Sequence, residues 1–143
     1  MMIMKKETSR RKFISNAALG AAAAGLMVTS CKITEESMGD KFIHHVFFWL
    51  KQPVTQEIRE KFENALKELA TIETIVDYHI GVPAPTSRDV IDTSYTYSML
   101  STYKSKVDQD VYQGHEKHLK FIADCQDLWE RVVVYDSVAL GSD

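Results

Sequence analysis

The sequence predicts an α+β domain built in the order β-α-β-β-α-β, and three observations carry that prediction. Aromatic and β-branched residues are concentrated in four short runs after Lys41. Two stretches between the runs repeat their apolar residues at the three-to-four spacing of a helix. Proline, glycine and polar clusters fall between these stretches, where the chain has to turn. In a chain of 143 residues this pattern leaves room for one domain, over residues 42–140.

Phe42 to Leu50 is rich in residues that suit a pleated sheet, and Pro53 ends it. Thr55 has the character of a helix cap, with Glu57 and Glu60 in the first turns, where the helix dipole favours acids. Ile58, Phe62, Ala65, Leu66, Leu69 and Ile72 follow on one face, which predicts a helix from about Gln56 to Thr71. Ile75 to Val82 alternates as a second strand, closed by Pro83 and Pro85, and Thr86 to Asp92 is a polar loop. Ser94 to Tyr103 is a third strand with Tyr95, Tyr97 and Met99 on one face. A second helix carries Val111, Ile122, Cys125 and Trp129 as its apolar stripe, and Val132 to Leu140 is the last strand. This order is the split βαβ, or ferredoxin-like, arrangement, with both helices on one face of the sheet. The other face carries either His44, Val46, Phe48 and Leu50 or Ile43, His45, Phe47 and Trp49. Both sets are too apolar to leave in water, so a homodimer formed sheet to sheet is expected.

The first thirty residues have the order of an export signal. Lys5, Lys6, Arg10, Arg11 and Lys12 form a basic head, Ile14 to Val28 is an uncharged apolar run, and small residues follow. That run is shorter than the roughly 20 residues of a membrane-spanning helix. Ser9 to Ile14, with Arg10 and Arg11, resembles the twin-arginine signal that exports folded proteins. Val28-Thr29-Ser30-Cys31 resembles a lipobox, which implies that Cys31 is lipidated and becomes the first mature residue. The expected division is a signal at 1–30, a lipidated tether at 31–41 and the domain at 42–140. The expected location is the cell envelope, held to the membrane by lipid alone. Cleavage before Cys31 removes five basic residues and one acidic residue, leaving 12 Lys and Arg against 19 Asp and Glu. No basic cluster remains, which argues against nucleic acid as a partner. Cys125 is then the single thiol of the mature chain, read as a small core residue.

Two histidines interrupt the greasy stripe of the second helix. His115 and His118 fall on it, and Tyr112 borders it one turn earlier. A buried imidazole needs partners, since leaving its nitrogens unpaired costs about 1–3 kcal/mol. Polar groups gathered on a core-facing stripe point to a lined cavity for a small, largely apolar molecule, with Trp129 able to stack on a flat ligand.

Three segments resemble the stress-responsive α/β-barrel family of dimeric ferredoxin-like proteins. They are Ile43-His44-His45-Val46-Phe47-Phe48-Trp49-Leu50-Lys51, Asp92-Thr93-Ser94-Tyr95-Thr96-Tyr97, and Tyr112-Gln113-Gly114-His115-Glu116-Lys117-His118. The last is similar to a tyrosine-x-x-histidine-proline-x-histidine signature, with Glu116 in place of the proline. A plant member of the family is a polyketide cyclase acting by aldol condensation through a strand-one histidine, a tyrosine and the second signature histidine. Residue by residue, the resemblance places these roles on His45, Tyr112 and His118, and gives His115 the signature's first, structural histidine.

On that pattern His118 is the candidate base, Tyr112 the donor to a developing oxyanion, and His45 a positioning group. Strand alternation lets only one of His44 and His45 face the helices, and the family pattern selects His45. The same residues also fit a binding pocket without turnover, or a hydrogen-bonded core. A histidine metal site and a small monooxygenase or haem-handling protein are weaker alternatives, since no zinc-type spacing is present and Lys117 and Lys120 lie opposite the stripe. No cofactor or metal is implied, and no phosphate loop or nucleophile elbow is present.

Overall fold

The computed structural model describes residues 41–141, so the export motif, Cys31 and the tether lie outside the described residues. Four strands, β1 (Phe42–Leu50), β2 (Asp77–Gly81), β3 (Tyr97–Tyr103) and β4 (Trp129–Ser137), form one antiparallel sheet in the order β2-β3-β1-β4. Three helices accompany it: α1 (Gln56–Leu69), α2 (Lys106–Gly114) and α3 (Glu116–Cys125). This is the ferredoxin-like fold that the order of elements predicts. Among the described residues, no helix is long and apolar enough to cross a membrane.

β1 lies between β3 and β4, and its alternation sorts the two faces of the sheet. His44, Val46, Phe48 and Leu50 are buried toward the helices, whereas Ile43, His45, Phe47 and Trp49 occupy the other face and are partly exposed. Phe62 of α1 is completely buried at the centre of the core. Its ring meets Phe48 edge-on at 5.2 Å, Tyr97 at 5.4 Å and Phe121 of α3 at 5.9 Å between centroids. Thr55 caps α1, its hydroxyl accepting from the Ile58 N–H at 3.3 Å. Cys125 is a free, fully buried thiol, as its place among apolar residues predicts.

Four elements differ from their sequence expectation, the second strand least, since it pairs over Asp77–Gly81 rather than from Ile75 to Val82. The second helix is two helices, because His115 adopts an extended backbone (φ −68, ψ 142) directly after Gly114. Its Nδ1 accepts from the Lys117 N–H at 3.1 Å, so His115 ends α2 and caps α3. The break resets the helical phase: Gln109 and Tyr112 are buried in α2 and Phe121 and Cys125 in α3, while Val111 is half exposed. The third strand begins at Tyr97 rather than Ser94. Tyr95 precedes the regular pairing and packs instead on Phe47 of the opposite face, with centroids 5.0 Å apart. The last strand is Trp129–Ser137, starting straight after a 3₁₀ turn at Gln126–Leu128. It stops at Ser137, which pairs with Ile43 near the start of β1.

Phe62→Ala is expected to lower the unfolding free energy by about 3–5 kcal/mol in urea titrations, the range for truncating a fully buried phenylalanine.

Candidate functional site

The helix-facing side of β1, β3 and β4 and the inner surfaces of the helices line a cavity of about 200 Å³ that is open to solvent along Ile122, Val132 and Val134. Most of its wall is apolar, including Val46, Phe48, Met99, Phe121, Trp129, Val132 and Val134. The polar part comes from His44 of β1, Ser101 of β3, Tyr112 and Gln113 of α2, and His118 of α3. His44 approaches the Tyr112 ring edge-on at 5.9 Å, and Tyr112 lies 4.8 Å from the His118 ring. The tyrosine therefore stands between two imidazoles.

Each imidazole is held through Nδ1. His44 Nδ1 lies 2.6 Å from Asp136 Oδ1, on the residue directly opposite it in β4. A carboxylate accepts, so Nδ1 carries the proton and Nε2 of the neutral ring keeps its lone pair. His118 Nδ1 lies 3.0 Å from the carbonyl oxygen of Gln113, which can only accept. That carbonyl is free because α2 stops one residue later, at Gly114, and the last carbonyls of a helix have no partner within it. The break between α2 and α3 thus fixes the tautomer of His118. Among the described residues, neither Nε2 has a hydrogen-bond partner.

The surroundings set the protonation of these groups. Burial is the main cause that lowers the His118 imidazole below the ordinary histidine value; the Gln113 bond opposes it, and nearby His44 lowers it further. Burial raises the Tyr112 hydroxyl well above the ordinary phenol range, with Tyr103 adding to the effect. Tyr103 is raised for the same first reason, and its oxygen lies 3.0 Å from the Ser101 hydroxyl. Tyr112 is accordingly a neutral hydroxyl backed by a second tyrosine, their rings 5.3 Å apart.

The structure brings together three of the residues singled out from the sequence, Tyr112, His118 and Trp129, and separates two others. His45 does not face the helices: it lies on the opposite side of the sheet, 4.2 Å from the Phe47 ring, and His44 takes the cavity position. Both alternating sets of β1 are apolar, so periodicity cannot choose between them. Trp49 was the available signal, since an indole N–H is easier to satisfy away from a dry core; here it donates to the Ser94 hydroxyl at 2.9 Å. His115 does not line the cavity; besides capping α3, its Nε2 is 3.4 Å from Glu73 Oε2. Sequence reasoning missed Asp136, Ser101 and Tyr103. Asp136 had a signal, because it shares the alternation of Val132 and Val134 and so places an acid on the same face of the last strand as those two apolar residues.

The fold and this cavity define a small ferredoxin-like pocket protein. The chain belongs to the stress responsive A/B barrel domain family, which matches residues 42–139. The hydroxynitrile lyase of Passiflora edulis is similar in structure at 19% identity and TM-score 0.62, covering 73% of this chain and 98% of its own. A ferredoxin-like protein of the same family from Mesorhizobium loti gives 22% identity and TM-score 0.59, with 71% and 98% covered. A dimeric ferredoxin-like protein from Thermobifida fusca gives 20% identity and TM-score 0.57, with 71% and 92% covered. A comparison with the curated proteins finds no match.

The lowered His118, and the likewise lowered His45, predict a direction for acid stability. The unfolded chain takes up protons at these rings more readily than the folded one. Stability is therefore complete above about pH 6.5, the unfolded value, and falls as pH drops below it toward the lower folded values. His118→Phe is expected to flatten that fall, read as urea midpoints between about pH 7.5 and 5.

Proposed function

We propose that this protein is an envelope-anchored, dimeric barrel protein that binds a small, largely apolar molecule between its sheet and helices, in a setting of stress response. The observation that carries this reading is the cavity itself, apolar over most of its wall and polar where His44, Tyr112 and His118 meet. A cavity of this kind is a usual form for a small-molecule site: greasy walls give affinity and a few polar groups give orientation. Its polar contacts are Tyr112, His118 and, by its place beside them, His44 rather than His45.

Dimerisation is supported by the uncovered sheet face. Phe47, Tyr95 and Tyr135 make a continuous aromatic surface there, with Phe47 centroids 5.0 Å from Tyr95 and 6.0 Å from Tyr135. The relative from Thermobifida fusca is dimeric. Anchoring is supported by the sequence alone, through the twin-arginine pattern at Arg10 and Arg11 and the lipobox ending at Cys31.

A second reading, cofactor-free proton transfer, is favoured by the two imidazoles whose Nδ1 atoms are occupied and whose Nε2 atoms have no partner. The His118 imidazole, whose proton affinity burial lowers, is a base ready to take a proton from a carbon or hydroxyl acid. Tyr112, kept protonated, would then donate to the oxygen on which charge develops. This is the chemistry of aldol-type cyclases and of lyases, and a hydroxynitrile lyase shares the fold.

Native mass spectrometry of the purified chain beside His118→Ala is the test. A dimer with added mass that the variant loses is expected; bare chains in both would remove the ligand from the reading. Once a substrate is found, proton transfer predicts that His118→Ala lowers kcat by roughly 10²–10⁴-fold with the dimer intact. Cys31→Ala is expected to release the protein from the membrane fraction, and its persistence there would remove the lipid anchor.

A further inference from the structure

The held tautomers specify what kind of head group the cavity accepts. Both imidazoles spend their Nδ1 proton on a protein acceptor, the Asp136 carboxylate or the Gln113 carbonyl. In the neutral rings each Nε2 is therefore an acceptor, and a partly desolvated acceptor left unpaired is costly. Tyr112, its ring between them, has a hydroxyl that is hydrogen-bonded to Tyr103. Among the described residues, no Lys, Arg, Asp or Glu lines the cavity, and the nearest fixed charge is the negative one of Asp136 behind His44. A carboxylate placed there would meet two lone pairs and a negative field. A ketone or an ether has no proton to give and leaves both imidazole acceptors bare. A hydroxyl pairs one of them, donating its single proton to an Nε2.

The volume indicates what fits. An apolar cavity of about 150 Å³ admits benzene. The volume of about 200 Å³ here accommodates such a ring with a short substituent. We infer that the site selects a neutral, hydroxyl-bearing apolar molecule near the size of a monosubstituted benzene, an alcohol or phenol, and discriminates against carboxylates. This inference rests on the reading of the cavity as a ligand site.

Protonation lifts the discrimination against carboxylates. The groups that face the two imidazoles are Asp136 of β4 on His44, Tyr103 and Ser101 of β3, and Tyr112 and the Gln113 carbonyl of α2 on His118; α1 contributes only Leu69 to the wall. Gaining a proton turns the His118 Nε2 from acceptor to donor, so a carboxylate acquires a partner while an alcohol, able to donate or accept, keeps one.

The experiment is calorimetric titration of the full-length chain with benzyl alcohol, benzyl methyl ether, benzoate and toluene, at about pH 8 and about pH 5, beside His118→Phe. At pH 8 the alcohol is expected to lose about ten-fold in affinity in His118→Phe and, in the unaltered protein, to change little on acidification. The ether and toluene are expected to change little at pH 8 in His118→Phe, which also shows that the variant keeps its cavity. Benzoate is expected to gain on acidification beyond what its own protonation supplies. If alcohol and ether change together in His118→Phe at pH 8, or benzoate exceeds the alcohol at pH 8, the inference fails while the ligand cavity stands. If none of the four binds, toluene included, the cavity reading fails and the inference with it.

Discussion

The alternation of β1 is the constraint on which the rest of the structure depends. The strand lies between β3 and β4, so its side chains are committed to one face or the other along its whole length. A slip of one residue would send Val46, Phe48 and Leu50 out of the core and bring Trp49, Phe47 and His45 in. It would also exchange the histidines, taking His44 away from Asp136 and Tyr112. The packing of Phe48 against Phe62 and Phe121 is thus what holds an imidazole in the cavity. Apolar contact, far from any chemistry, decides which polar group is available.

A second constraint is the single extended residue between α2 and α3. Had the helix run on through His115, the Gln113 carbonyl would have been taken by the backbone four residues ahead. The break leaves it for His118 and turns His115 into a cap, so that two histidines three residues apart do unrelated work. One is structural, tied to Lys117 and Glu73; the other lines the cavity. A departure from regular helix at a functional residue is a recurrent device, because only there do backbone acceptors become free to orient a side chain.

Much of the fold was legible in the sequence, because element type follows from periodicity and punctuation. The order of strands and helices, the Thr55 cap and the buried face of α1 with Phe62, Leu66 and Leu69 could all be read that way. Boundaries were less legible where tertiary pairing decides them. Tyr95 has strand character, yet regular pairing starts at Tyr97, and Val138 to Leu140 extend past the pairing of β4 with β1. In the site, Tyr112 and His118 were visible as polar residues at buried helical positions. The identity of the strand-one histidine was not, because two adjacent histidines in a strand greasy on both faces give the period of two nothing to sort. Ser101 and Tyr103, and the pairing of Asp136 with His44, were hidden for a different reason: they depend on which strands are neighbours, and that is a property of the assembled sheet.

The contact between His44 and Asp136 spans 92 positions of sequence, joining the first strand of the domain to the last. The cavity wall likewise draws on every helix and on three strands of the sheet. Closing so long a loop is entropically slow to achieve and comes late, after local helices and hairpins can already exist. No fragment of the domain can hold the assembled site. Any occupant of the cavity would consequently recognise only the finished fold and stabilise it by mass action. Occupancy would then act as a reporter of complete folding.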